Sequence, residues 1–450
     1  MILSNFFIIF LQADGLLNTL KLKIFSWENC MTRMLLVIIL LGSGIIPVKA
    51  FEFDFPERRK TQFFTDPGYY VVPSPYSIPG IGDGLIIVGA MTNAYQQYAD
   101  IYGFAASGDL QGVGLFSTEN HLIEKTLILD VAVQNFNKAS TQIYNQRSMD
   151  SDADDYILAE LDNALFYGSR LTYTLYDRRL EFYALLFDNE STPGAIRNPD
   201  GSLIQSADDA ETSTSRSYTL GLRLDFTDDY SDPRRGIRLE GSFWHSPPEN
   251  NDAPDYNIID WNLTGYIPVA GTDTLVLNYF QADTDVNKKG ETDPAVIQIN
   301  RGYDCSSSAL TAAEQQDCLS YINNIIAANT HGSVGALGGL SRLRSYPEGR
   351  FEGSHARFYG VEYRWNVKDE TKPFNIYIAR DIRTVMQVAF FYERGAIADD
   401  KSQLWNKMAY SAGVGFRLIT SSGLVFRADI ADGSEGHEVS VIIGYPWEVF

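Results

Sequence analysis

A chain of 450 residues with 36 Lys+Arg against 57 Asp+Glu carries a formal net charge of −21, which excludes a nucleic-acid partner because phosphate contacts need a basic face. Apolar residues make up 45% and aromatic residues 13%, with 26 Tyr, 26 Phe and 36 Gly, so the chain is not disordered by composition and points to strands and tight turns rather than to a helical enzyme. Beyond residue 50 no run approaches the roughly 20 apolar residues that a spanning helix needs, and the mean hydropathy is −0.15.

In chain order, residues 31–50 (MTRMLLVIILLGSGIIPVKA) read as a signal peptide. Arg33 supplies a basic start, Leu35–Leu41 with Ile45–Ile46 an apolar core, and Val48 and Ala50 the small residues ahead of a cleavage site. Met31 is then the expected start, and residues 1–30 a mis-called N-terminal extension. Export also removes Cys30 and leaves Cys305 and Cys318 as an even pair. A bridge between them closes a short loop, worth about 3 kcal/mol on the chain-entropy account. Residues 51–83 read as a short segment ahead of the main domain.

From residue 84 onward the pattern has period two. Tyr218, Leu220, Leu222, Leu224 and Phe226 alternate with Thr219, Gly221, Arg223 and Asp225; Tyr359, Val361, Tyr363 and Trp365 alternate with Gly360, Glu362, Arg364 and Asn366. Such alternation predicts strands. Fourteen are clear, near 84–94, 97–107, 124–135, 164–176, 178–188, 216–226, 236–246, 255–267, 272–282, 355–367, 383–394, 408–419, 423–432 and 437–447. The acidic stretch 139–162 leaves room for two more. Most exceed the usual five or six residues of soluble domains, and their apolar faces end in Tyr, Trp and Phe, as an interfacial girdle does. The expected fold is an all-β transmembrane antiparallel β-barrel over residues 84–450, not a secreted sandwich. Short connectors (Asp177-Arg178, Ala270-Gly271, Ser421-Ser422-Gly423) alternate with long polar ones at 189–215, 247–254, 283–354 and 395–407, which places the short set in the periplasm and the long set outside. The connector 283–354 is too long for a passive loop.

Several local patterns then fall in order along 216–450. Asp228-Asp229-Tyr230-Ser231-Asp232-Pro233-Arg234-Arg235-Gly236 is an acidic turn ending in Pro, basic residues and Gly. Leu343-Arg344-Ser345-Tyr346 follows Leu337-Gly338-Gly339 in the long connector. Phe391-Tyr392-Glu393-Arg394-Gly395 lies on the strand 383–394, and Glu362-Tyr363-Arg364 and Gly413-Val414-Gly415-Phe416-Arg417 on its neighbours. Together they resemble the BamA/TamA-type barrels of the bacterial surface antigen superfamily, which assemble or translocate proteins at the outer membrane. The resemblance implies sixteen strands and a long sixth external loop folded back into the lumen. It implies a loop–barrel lock of Arg344, Tyr346, Phe391, Glu393 and Gly395, and a periplasmic turn motif of Asp229, Pro233, Arg235 and Gly236. It further implies a C-terminal targeting signal of Gly444, Trp447 and Phe450. Two departures stand out. Ser345 replaces the family's Gly and Glu393 its Asp, and residues 51–83 are too few for one POTRA module.

Alternation supports the lock independently, since Gln387, Ala389, Phe391, Glu393 and Gly395 share the face opposite Met386, Val388, Phe390 and Tyr392. An inward Glu393 needs a partner, and Arg344 offers a bidentate guanidinium. Removing one partner costs about 3–5 kcal/mol in a dry lumen and about 1 or less in a wet one.

Other candidates are weaker. Asp150-Ser151-Asp152-Ala153-Asp154-Asp155 lacks the Gly and Glu of a calcium loop and reads as a solvated acidic loop, so no metal is expected. His245 and His437 lack any nucleophile signature, and Asn262-Leu263-Thr264 sits mid-strand; no catalysis and no cofactor are expected. Arg178, Arg223, Arg238, Arg364 and Arg427 face inward, with Asp225, Glu240, Glu362 and Asp429 to pair with them. The expected molecule is a monomer in the cell outer membrane, with membrane lipid around it and unfolded outer membrane proteins or a periplasmic accessory protein as partners. The strands 84–94 and 437–447 are expected to meet at a seam weakened by Gly84, Gly89, Gly444 and Pro446. The alternative is a passive pore or surface-display barrel.

Overall fold

Alternating side chains let one sheet present lipid-facing groups outside and polar groups inside once it curls shut. The computed structural model shows this closure for residues 55–450, apart from 208–211, 249–252, 370–373, 377–378, 383, 421–424 and 448–450. The signal-peptide reading of 31–50, the extension 1–30 and Phe450 lie outside the described residues.

Among the described residues nineteen strands join one sheet. They are β1 (Gly68–Ile78), β2 (Gly82–Thr92), β3 (Asp100–Gly108), β4 (Gln111–Ile123), β5 (Leu127–Tyr144), β6 (Tyr156–Leu175), β7 (Leu180–Arg197), β8 (Leu203–Ser206), β9 (Ser213–Thr227), β10 (Gly236–Ser246), β11 (Asp255–Pro268), β12 (Thr274–Lys288), β13 (His355–Asp369), β14 (Phe374–Ile376), β15 (Ala379–Ile382), β16 (Thr384–Ala398), β17 (Ala409–Thr420), β18 (Val425–Gly433) and β19 (Gly436–Ile443). Sixteen are staves of a closed antiparallel barrel that spans a membrane; β8, β14 and β15 are short additions to connectors. Closure is made by β1 and β19 through one bridge, Ser77↔Val441.

The walls follow the alternation. On β16, Phe390 (46%) and Tyr392 (48%) are exposed outward while Ala389 and Glu393 are fully buried. The interior divides in two. On β3 to β7 the inward face carries Phe104, Phe116, Phe136, Phe166 and Phe187, whose neighbouring ring centroids lie 6.0–6.2 Å apart. These rings belong to an apolar cluster with Tyr76, Ile78, Val88 and Leu110. On β9 to β18 the inward face is charged, with Arg223, Arg238, Arg364, Arg417, Arg427, Glu240, Glu362 and Asp429 all buried.

Four expectations are corrected. The barrel begins at Gly68, not residue 84, so residues 68–83 are not a pre-barrel segment: they hold the first stave and the turn into the second. The two strands missing from the fourteen are β1 and β4, not a pair hidden in 139–162; that stretch lengthens β5 and β6 into an 18- and a 20-residue strand. The seam is therefore β1–β19, and Gly84 and Gly89 lie on β2, away from it. The strand near 437–447 stops at Ile443.

Between β12 and β13 the long connector carries α1 (Pro294–Arg301) and α2 (Ala312–His331). Asp293 caps α1 by accepting from the Ala295 amide, and Thr311 and Glu314 form a capping box on α2. Cys305 and Cys318 are bridged, as expected, with Cα atoms 5.4 Å apart. The pair is buried against Ile157, Ile196 and Ile204 on the prolonged ends of β6 to β8. Reducing this bridge is expected to cost the helical hairpin about 3 kcal/mol while leaving the staves paired. Limited proteolysis should cut between α1 and α2 only after reductant, with the heat-modifiable gel mobility of the barrel unchanged.

Candidate functional site: a buried arginine hub in the lumen

Past α2 the connector turns inward. Leu337 pairs with Phe351, and between them the chain forms a compact tip in which Leu340, Leu343 and Tyr346 are fully buried. Gly395 makes room for it, since a Cβ there would lie 2.9 Å from Leu337 Cδ1 and 3.1 Å from Leu343 Cδ1. Tyr346 stacks edge-on against Phe351 at 5.0 Å and shares a 2.9 Å hydrogen bond with the Ser434 hydroxyl. The Ser345 amide donates to Ser411 Oγ at 2.9 Å.

The tip delivers Arg344 to three carboxylates. Its backbone amide donates to Glu393 Oε2 and its Nε to Glu393 Oε1, both at 2.9 Å; Nη1 donates to Asp429 Oδ2 at 2.9 Å and Nη2 to Glu362 Oε2 at 3.2 Å. Phe391 lies beneath, its centroid 3.4 Å from the guanidinium carbon. Arg417 and Arg364 also donate to Glu362, so its charge is shared among three guanidiniums. The Arg344, Glu362 and Glu393 side chains have no exposed surface. The hub is sealed from bulk solvent, and the pair costs more to break than a solvent-exposed one. Of the five lock residues, Arg344, Phe391 and Glu393 meet directly, while Gly395 and Tyr346 seat the tip around them.

A feature missed in the sequence completes the hub. After β19 the chain turns at Gly444 (φ 126°) into the lumen. There Trp447 Nε1 donates to Glu393 Oε1 at 2.7 Å, and the Trp447 carbonyl accepts from Asn262 Nδ2 at 2.7 Å. Gly360 leaves the space for its ring, since a Cβ would sit 2.5 Å from it. Trp447 thus points into the lumen and not outward to lipid. Pro446, flanking it, was the available sign that the strand had ended. Tyr445, on the same tail, donates to Asp232 Oδ1 at 3.2 Å.

Asp232 belongs to the turn motif. Asp228 Oδ1 accepts from the Arg234 and Arg235 amides, and Asp229 Oδ1 from the Ser231 and Asp232 amides. Gly236 takes φ 114° with Phe226 O where a Cβ would stand, Pro233 is buried and Arg235 is exposed. Tyr230 points inward, with the Arg178 guanidinium 4.0 Å and those of Arg223 and Arg238 5.2 Å from its ring. Burial pushes the Asp232 carboxyl up, but Arg234 and Arg59 hold it below the usual carboxylate range. The N-terminal segment docks here: Arg59 Nε donates to Asp228 Oδ2 at 2.7 Å and Lys60 lies 3.3 Å from Asp229. This contact was not foreseen, although Arg58-Arg59-Lys60 opposite Asp228-Asp229 was a legible charge complement.

Elsewhere the candidates do not converge. Asp150–Asp155 ends in a loop whose Ser151 is held by Arg350 at 2.5 and 2.8 Å. His245 meets Asn257 at 2.9 Å on β10, while His437 lies on β19. Among the described residues no group of His, Cys, Asp and Glu is arranged to hold a metal. At the seam, Ser77 Oγ donates to Val439 O at 3.1 Å, and lower down Tyr69 pairs with Arg380 of β15 rather than with β19.

No family model matches the sequence, and no curated protein matches it. Among solved structures the chain is similar to BamA from Haemophilus ducreyi lacking POTRA domains 1–3, with 11% identity, TM-score 0.44, and 84% of this chain and 69% of that one covered. It is similar to CdiB from Escherichia coli at 11% identity and TM-score 0.49, and to CdiB from Acinetobacter baumannii at 10% and 0.45. Each alignment covers 84% of this chain, but only 62% and 59% of the two CdiB chains.

Arg344→Ala leaves three buried carboxylates without their shared partner and is expected to destabilise the docked tip by about 3–5 kcal/mol. Arg344→Lys should recover little, because an ammonium cannot reach three acids in a fork. Unfolding of the tip followed by protease susceptibility measures both.

A second expectation concerns pH. Glu348, in the tip, is buried and accepts from the Leu340 amide at 3.1 Å; burial pushes its carboxyl up from 4.5 to about 7. The docked tip then holds an extra proton between those values. Its stability is full below about 4.5 and falls as pH rises through 7, by at most about 1.4 kcal/mol per unit. Tip protease sensitivity should increase from pH 5 to pH 8, and Glu348→Gln should flatten the curve.

Proposed function

We propose that this membrane-embedded barrel acts without catalysis at the outer membrane in the insertion or translocation of polypeptides, with the docked loop tip and the β1–β19 seam as its working parts. The observation that carries this reading is the meeting of a loop tip, a chain tail and the wall at one buried hub. Arg344 from the connector, Trp447 from the C-terminal tail and Glu362, Glu393 and Asp429 from the wall meet at hydrogen-bond distance. A wall built only to conduct solutes has no use for a tip and a tail that fill its bore. The motif resemblance of 216–450 supports the same reading.

The mechanism follows from the energetics of these parts. Among the described residues the seam has one ladder bridge, Ser77↔Val441, and the Ser77 hydroxyl bond to Val439 O, whereas β5 and β6 share a ladder running from Leu127↔Tyr173 to Tyr144↔Tyr156. Net hydrogen bonds contribute about 1 kcal/mol each, so the seam is where this wall parts at least cost. A client is delivered by a periplasmic accessory protein, and its arrival displaces the tail and the tip.

Joining Ser77→Cys to Val441→Cys by a disulfide is expected to abolish client handling by the full chain in reconstituted vesicles, with reductant restoring it. A barrel that stays active while crosslinked and shows large, steady single-channel conductance is the passive pore instead.

A further inference from the structure

The strand that opens the barrel, GYYVVPSPYSI, contains two prolines. It nonetheless runs an unbroken antiparallel ladder with β2, from Gly68↔Thr92 to Ile78↔Gly82. In such a ladder residues of one parity turn both N–H and C=O to one neighbour, and residues of the other parity turn theirs away. Proline has no N–H. A ladder that passes Pro73 and Pro75 without a break therefore uses the even residues, as sheet prolines require. The odd residues, Tyr69, Val71, Pro73, Pro75 and Ser77, face the seam. Both bridges made on that side agree, since they fall on Ser77 and Tyr69.

We propose that Pro73 and Pro75 make this edge non-templating. An incoming β-strand cannot zip along β1, because the third and fourth of its five seam-facing positions have no donor. What the edge takes is a short extended segment at Tyr69, where the chain's own Arg380 is paired. The same block accounts for the end of the last strand. Continuing the Ser77↔Val441 register would set Ile443 against Pro75 and Tyr445 against Pro73. Instead the tail turns at Gly444 and seats Trp447 on Glu393. This inference rests on the seam as a working part and narrows it: clients are not inserted by continuous pairing to β1.

The test uses the purified full chain in phosphatidylcholine vesicles and, as probe, a synthetic peptide of about ten residues with alternating apolar and polar side chains, a benzophenone at its centre and a C-terminal Phe. Crosslinks are mapped by mass spectrometry for the wild type, Pro75→Thr and the Pro73→Thr/Pro75→Thr pair, each first checked for heat-modifiable mobility. Labelling of residues 71–77 is expected to stay at background in the wild type and to rise about tenfold or more when both donors are restored, with the single variant between. Equal labelling of wild type and double variant overturns the proposal. So does a folded double variant that stays unlabelled, since something other than proline then guards the edge. A Ser77–Val441 crosslink that leaves activity intact sinks the functional reading and not this one, because the labelling needs no client activity.

Discussion

A guanidinium sealed inside a barrel must be matched by carboxylates close enough to share its protons, and the architecture of this chain is arranged around that requirement. Arg344 comes from a loop, yet Glu362, Glu393 and Asp429 come from β13, β16 and β18. None of those acids tolerates burial alone. The loop tip therefore contributes to the stability of the wall, and the wall fixes the tip. Arg417, Arg364 and Arg427 then keep the acids from repelling one another.

This mutual dependence links ends of the molecule that are remote in sequence. The tail after β19 reaches Glu393 through Trp447 and Asp232 through Tyr445. Asp232 sits in the turn between β9 and β10, and that turn in turn holds Arg59 and Lys60 of the N-terminal segment. One chain of charged and aromatic contacts thus runs from the tip of the long connector to the opposite mouth. A change at the seam need not act through a distant route, because the last strand continues directly into the hub.

Much of this was legible because strands have an exact period. The parity of Gln387, Ala389, Phe391 and Glu393 alone puts the acid inside, and the alternation marks β10 to the residue. What failed did so for local reasons. β1 was lost because two prolines demote a run of Tyr and Val, and the chain uses them where sheet prolines belong, on an edge. β4 was lost because Gly112 and Gly114 remove apolar side chains from its alternation; they make room for Phe136 and Phe104 across the sheet. Trp447 was misplaced because an aromatic residue near a C-terminus fits an interfacial girdle as well as it fits a pocket. Only the three-dimensional position of Gly360 separates the two.

The ladder of phenylalanine rings on β3 to β7 has a consequence for leakage. Three of the four neighbouring ring pairs lie nearly parallel and one edge-on, so at their level this side of the bore presents a band of rings that offers a file of water no hydrogen-bond partners. On the opposite wall a hydrated ion would instead meet guanidiniums and carboxylates that the tip and the tail already engage.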